Sequence, residues 1–414
     1  MTKPKIYLYA EALMHIRQLT LHASLQTDKN EHTKIFISSD KQIITAIHDG
    51  ESSSIYLPTQ ISGTADVTFP TEKRTEISAR VQIDDADQLK AGSEDLAGVE
   101  VPWCATDLSD TTSAECKSCN SRILDGGKIT IWKDLPSDHW ADLMDVWFCH
   151  KPHNDHSHDQ HAAEAKGFSA KSKITAQPGT GLVDAVSFLL NQADCSGIQE
   201  RDLSHQNGTT LHCASCNTAL GSSQEDGYFR LYKSRLVLKT VQGLEPQKFP
   251  PSVFICSQLL SLIESTVSRK IVLHSETQME RETGGGSGGL ILWIFNPDLY
   301  YSSSSRGPTV HRAMKVFYKS LLEIGEFLDE NSNTHEELTV PPEDLEDFKK
   351  TLHDSTTILP QSARSFQDWG VGLIDRWEKN ATGASWMDKN PLNKKVDPGF
   401  EAFKLPEGMQ ELYL

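Results

Sequence analysis

Two short segments, Cys116-Lys-Ser-Cys119-Asn-Ser and Cys213-Ala-Ser-Cys216-Asn-Thr, repeat each other across an interval of 93 residues. Two thiolates three residues apart can grip one face of a tetrahedral metal while the backbone turns beneath them. The residue after the second cysteine then needs a positive φ, which Gly adopts most readily and Asn next. Asn120 and Asn217 stand at those positions. Joined, the pairs predict one closed zinc site made of Cys116, Cys119, Cys213 and Cys216. Four thiolates leave no open position for water, so such a zinc is structural and not a Lewis acid. The long interval does not exclude it. Loop closure costs only about 1.4 kcal/mol more than in a compact ribbon, whereas structural zinc supplies roughly 10–16 kcal/mol. Metal-free thiol turns are the plainer alternative. Two separate sites are another, one adding Cys149 or His150 to the first pair and one adding Cys195 or His212 to the second. A thioredoxin-like role would need a strand-to-helix junction, which neither pair offers.

The rest of the composition narrows the setting. Eight cysteines in 414 residues are too sparse for a small secreted disulfide scaffold. Asp and Glu number 57 against 40 Lys and Arg, a net charge of −17 with no basic block, which argues against a nucleic-acid groove. Glu11, His15 and Arg17 interrupt the N-terminal apolar residues, so no signal peptide is expected. Nor does any apolar run approach the ~18 residues of a membrane span. The expectation is a chain of the cytoplasm, the nucleus or both, with reduced thiols and two or three domains of roughly 150 residues.

The predicted class is α+β, in three regions: a β-rich 1–100, a zinc-binding β core with a His-rich loop over 101–245, and a mainly helical 246–414. Leu19, Leu21, Ala23 and Leu25 alternate with polar residues, as do Ile77, Ala79, Val81 and Ile83, which is strand periodicity. Asp49-Gly50 marks a turn, and residues 83–100 read as an acidic loop. Strands are expected from Lys128 to Lys133 and from Gly227 to Leu238, with a helix around Leu182 to Asn191. Farther on, Cys256, Leu260, Ile263 and Val267 form one helical stripe, and Val310, Met314, Phe317, Leu321, Ile324 and Leu328 form another. Between them LILWIFN reads as a buried strand, after a Gly-rich connector at 284–289. A third helix starts at Pro341-Pro342 and carries Leu345, Phe348 and Leu352.

LPSDHWADLMDVWFCHKP, from Leu135 to Pro152, is the most distinctive stretch. It predicts a helix from Asp138 to Trp147 ending at Cys149 and His150, before a His-rich segment. Cys149 reads as a packed structural thiol, an auxiliary metal ligand or a catalytic nucleophile, and a protonated His150 or His153 could compensate a thiolate there. The negative end of the helix dipole works against a thiolate there. Cys256, on an apolar stripe, is expected to be a core thiol.

This segment, the two C-x-x-C pairs, LILWIFNPDLYYS with HRAMKVFY, and LPQSARSFQDWGVGLIDRW together resemble the ubiquitin-conjugating-enzyme-binding proteins described as HECT-like ubiquitin ligases. The resemblance implies binding to a ubiquitin-conjugating enzyme and assistance to ubiquitin transfer. It also implies, through fungal relatives, a tie to mRNA 3′-end cleavage and polyadenylation by contact with the processing endonuclease. A HECT ligase carries its thioester cysteine near its C-terminus, whereas here no cysteine follows Cys256. Two functions are therefore expected in competition: a ubiquitin ligase, working directly or through Cys149 as nucleophile with His150 as its base, and a non-catalytic zinc-stabilised scaffold of the 3′-processing machinery.

Overall fold

The computed structural model describes residues 6–59, 61, 75–83, 101–135, 176–202, 209–224, 227–240, 245–275, 288–307, 309–378 and 410–412. The chain divides into two compact units, one made of 1–100 with 251–414 and one made of 101–250. The acidic loop, the helix before Cys149, Cys149 and His150 themselves, the His-rich segment and most of the Gly-rich connector lie outside the described residues.

The first unit opens with β1 (Ile6–Leu13) and β2 (Gln18–Leu25), a hairpin, followed by β3 (Lys34–Ile37), β4 (Ile43–His48), β5 (Glu51–Tyr56) and β6 (Glu76–Gln82). Asp49 and Gly50 turn β4 into β5 with φ of 49° and 80°, the double positive φ that a two-residue hairpin turn requires. The alternation read in Leu19 to Leu25 and Ile77 to Ile83 is genuine. These side chains face a core shared with Ile35, Ile44, Ala46 and Ile55 of the facing small sheet.

The chain then builds the second unit: β7 (Ser113–Cys116), β8 (Arg122–Leu124), β9 (Ile131–Asp134), β10 (Thr180–Val183), β11 (Ser187–Asn191), β12 (Ile198–Asp202), β13 (Thr209–Cys213), β14 (Ala219–Gln224), β15 (Tyr228–Tyr232) and β16 (Leu236–Lys239). They form a seven-stranded sheet ordered β12-β13-β14-β15-β11-β10-β9 and a three-stranded sheet ordered β16-β7-β8. The helix expected around Leu182 to Asn191 is instead the β10–β11 hairpin. Asp184 decides it: its carboxylate accepts from the N–H groups of Val186 and Ser187 at 2.7 and 2.6 Å and closes a turn that a helix could not contain.

On returning to the first unit the chain forms α1 (Pro251–Thr266), β17 (Lys270–His274), β18 (Gly289–Ser303), β19 (Val310–Leu321), α2 (Ile324–Asn331), β20 (Glu336–Thr339), α3 (Pro342–Thr356), β21 (Ser365–Phe366), β22 (Trp369–Asp375) and β23 (Gln410–Leu412). The mainly helical C-terminal part is therefore a misreading. Among the described residues there are three α-helices, and the region is largely strand. The helices α1 and α3 stand where the sequence put them, although Val267 lies beyond α1, at φ 62° and exposed. The stripe from Val310 to Leu321 is a strand. Alternation vanishes from it because both of its faces are covered: Met314 and Val316 pack with Ile255, Leu259, Phe348 and Leu352, while Ala313 and Phe317 pack with Tyr301, Leu359 and Val371.

The large sheet runs β21-β22-β19-β18-β1-β2-β6, with β17 also paired to β18 and β20 to β17; the small sheet runs β23-β3-β4-β5. Segments from the two ends of the chain thus complete both sheets. Buried charges tie the middle of the large sheet, where Lys315 on β19 reaches both carboxylate oxygens of Glu11 on β1, at 3.1 and 2.8 Å. Asp298 on β18 receives Arg312 Nη2 at 2.9 Å and lies 3.3 Å from Arg376. No helix among the described residues is long and apolar enough to cross a membrane.

Candidate metal centre

Each C-x-x-C pair is built the same way. Cys116 ends β7 and Cys213 ends β13, so the chain arrives extended and must reverse. In the first turn Asn120 N–H donates to Cys116 O and Cys116 N–H to Ser121 O, both at 2.8 Å. In the second, Asn217 N–H donates to Cys213 O and Cys213 N–H to Thr218 O, both at 2.9 Å. Asn120 and Asn217 have φ of 59° and 64°, the left-handed geometry expected of them.

The repeat extends to how each turn is anchored. Lys117 N–H donates to Arg235 O and Ala214 N–H to Gly197 O, each at 2.9 Å. Gly197 itself, at φ 65°, lies so close to Arg122 O that a Cβ would stand 2.5 Å from it, so only glycine lets these backbones meet. Ser196 N–H donates to Ile123 O at 2.9 Å, and Leu124 bridges to Cys195. These contacts bring the two turns, one from each sheet of the unit, face to face.

The four sulfur atoms lie within 4.8 Å of one another, with Cys116 to Cys216 at 3.7 Å and Cys119 to Cys213 at 3.6 Å. Four sulfurs bound to one zinc at ~2.3 Å in a tetrahedron are about 3.8 Å apart, close to the distances of the two pairs that join the turns. All four are free thiols. Burial pushes the Cys116 thiol up to about 12, while the Thr218 hydroxyl and backbone bring Cys216 down to about 6. A divalent cation at the centre would favour the thiolate form of all four.

Other candidates stand apart from this cluster. His212 Nδ1 lies 3.1 Å from Asn217 O and Nε2 lies 3.1 Å from Thr210 Oγ1, so both ring nitrogens are engaged. Burial pushes the Cys195 and Cys256 thiols each up to about 12, the latter inside the core of α1. Cys104 Sγ lies 3.1 Å from both Thr106 Oγ1 and Asp107 Oδ2. Sequence reasoning overlooked two neighbours of the cluster. Ser121 Oγ lies 3.2 Å from Cys119 Sγ, and Thr218 Oγ1 lies 3.2 Å from Cys216 Sγ. The signal was present, since a hydroxyl residue follows the second cysteine by two positions in both repeats.

The blocks that carry the C-terminal resemblance also converge. LILWIFNPDLYYS lies on β18, HRAMKVFY on β19 and WGVGLID on β22, which are neighbours in the large sheet. Among their polar members Arg312 and Lys315 are buried and Asp298 is half-buried, and all three belong to the ion pairs described above.

Comparison with known proteins gives a consistent picture. The model of a family described as HECT-like ubiquitin-conjugating enzyme (E2)-binding matches residues 11–371. The uncharacterized protein C1734.10c of Schizosaccharomyces pombe is 24% identical over 295 residues, covering 68% of this chain and 79% of its own. The uncharacterized protein YJR141W of Saccharomyces cerevisiae is 24% identical over 272 residues, covering 65% and 71%. An E3 ubiquitin-protein ligase of Mus musculus is 22% identical over 285 residues, covering 63% and 70%. No solved structure matches.

Proposed function

The chain belongs to the HECT-like ubiquitin-conjugating enzyme (E2)-binding family, and from that membership we propose that it binds a charged ubiquitin-conjugating enzyme and promotes transfer of its ubiquitin. The extent of the match, which takes in residues of both units, carries this reading. The similarity to an E3 ubiquitin-protein ligase supports it. In the same reading Cys116, Cys119, Cys213 and Cys216 hold one zinc, whose contribution is to cross-link the two sheets of residues 101–250.

The described thiols favour direct transfer from the conjugating enzyme over a covalent intermediate on this chain. Four of them belong to the cluster, Cys195 and Cys256 are held protonated by burial, and Cys104 is engaged with Thr106 and Asp107. Cys149, with His150 as base, is the covalent route. A single-turnover discharge assay with a charged conjugating enzyme tests the proposal. Wild type is expected to accelerate discharge and Cys149→Ala to keep that acceleration. A thiol-sensitive ubiquitin adduct lost in Cys149→Ala would establish the covalent route, and no acceleration by wild type would sink the ligase reading.

The closed cysteine set favours a second reading, since it offers a metal no open coordination position. In it the chain is a scaffold that binds its partner without chemistry. The endonuclease of mRNA 3′-end processing is the partner the sequence resemblance implies, and the cytoplasm or nucleus the compartment. Normal complementation by Cys149→Ala together with loss in Cys116→Ala, and co-purification of the endonuclease, would favour this reading over the first.

A further inference from the structure

We propose that the Ser121 and Thr218 hydroxyls retain the metal, by donating to the two outer sulfurs of the cluster and slowing their departure. The inference rests on the zinc reading above and concerns residues that are not themselves ligands.

The four sulfurs are not equivalent. Cys116 and Cys213, the first cysteine of each pair, are 0% and 1% exposed, whereas Cys119 is half-buried and Cys216 exposed. An exchanging ligand therefore meets Cys119 and Cys216 first. Each of these has a side-chain hydroxyl 3.2 Å away, from a residue two positions farther on: between Thr218 Oγ1 and Cys216 Sγ either atom can donate, whereas at Cys119 the sulfur is placed to donate to Ser121 Oγ. The two turns share Asn before the hydroxyl residue and place that hydroxyl at the same distance, one with Ser and one with Thr.

The chemistry follows from the state of the sulfur. A metal-bound thiolate has no proton, so Thr218 donates to Cys216, and Ser121, which accepts from the Cys119 thiol here, turns its hydroxyl to donate into a sulfur lone pair once that thiol is deprotonated. For the metal to leave, a zinc–sulfur bond breaks, the sulfur keeps the electron pair and takes up a proton from water, and the metal passes to the incoming ligand. A hydroxyl already donating to that lone pair stabilises the bound thiolate and hinders its protonation. Partners of metal ligands typically contribute about 10-fold to 100-fold in metal affinity. A half-buried hydroxyl such as Ser121 or Thr218 belongs at the lower end of that range.

The test uses the full chain loaded with zinc and mixed with an excess of a chromophoric chelator. Ser121→Ala and Thr218→Val are each expected to speed zinc release about tenfold, and Ser121→Thr and Thr218→Ser, which keep the hydroxyl, to release at the wild-type rate. Cobalt(II) substitution supplies a readout independent of rate, because removal of the hydroxyl is expected to shift the sulfur-to-cobalt charge-transfer band. Release rates and band positions in Ser121→Ala and Thr218→Val equal to those of wild type would overturn the inference while leaving the zinc site intact. Purified wild type without zinc, and unable to take it up, would instead remove the reading on which it rests.

Discussion

The unit formed by 1–100 and 251–414 is organised by long strands with deep cover, whereas the unit of 101–250 is organised by short strands and a cluster of sulfurs. In the first, β18 and β19 run 15 and 12 residues, and their side chains meet helices on one face and a second apolar cluster on the other. In the second, strands of three to six residues make two small sheets, and the four cysteines join a turn from one to a turn from the other. Stability in the first unit comes from apolar burial, with the embedded Glu11 and Lys315, and Arg312 with Asp298, held in ion pairs. The second has less apolar surface to bury per strand, so a zinc held by the four cysteines, as proposed above, would carry proportionately more of its stability.

The largest effect that would break this comparison is loss of the proposed zinc. Chelation, or Cys116→Ala, is expected to remove on the order of 10 kcal/mol from the 101–250 unit. Hydrogen exchange should then show lost protection in β13 and β14 with β18 and β19 still protected; equal loss in both units would contradict the contrast. Next comes Lys315→Ala, which leaves the Glu11 carboxylate buried without its cation, and about 3–5 kcal/mol is expected from denaturant unfolding of the large-sheet unit. The paired replacement Lys315→Met with Glu11→Leu should recover most of that loss.

A smaller effect is the response to acid. Burial raises the Glu11 carboxyl, but Lys315 and the Tyr9 hydroxyl outweigh it and hold the group below its ordinary value. Glu11 therefore contributes stability that is complete above pH ~4.3, its unfolded value, and is lost as pH falls through the lower folded value. Burial, with Arg306 nearby, brings His311 down to about 4. The unfolded chain takes up that proton near pH ~6.5 while the folded unit stays neutral, so stability declines as pH drops from ~6.5 toward 4. His311→Phe should flatten this decline in urea midpoints measured against pH, and Glu11→Gln should remove the steeper acid limb. The smallest effect is local: Asn217→Ala places an ordinary residue at φ 64° and should cost about 1 kcal/mol, whereas Asn217→Gly should be nearly neutral.

The parts of the fold that the sequence discloses are those set by neighbouring residues. Asp49-Gly50 and the two asparagines after the cysteine pairs declare their turns because few residues adopt positive φ. The strands β2 and β6 declare themselves because only one face of each is apolar. By contrast β19 imitates a helix, since a strand covered on both faces has no alternation, and its apolar residues happen to fall at steps of four and three. Its buried Arg312 and Lys315 look like solvent-facing charges until Asp298 and Glu11 arrive from other strands. The pairing of β1 with β18 joins residues nearly 300 positions apart, and no local pattern announces it. The cysteine cluster lay between these extremes: spacing named its members, but which sulfurs face outward, and the hydroxyls beside them, depended on the turns being brought together.

In the proposed reading one four-sulfur site, Cys116 and Cys119 with Cys213 and Cys216, clasps the 101–250 unit. Zinc content of the purified full chain, read by native mass spectrometry, tests it most directly. One zinc per chain, lost together with the protection of 101–250 in Cys116→Ala, is the predicted result. Two zinc ions per chain, or a folded 101–250 unit with none, would contradict it.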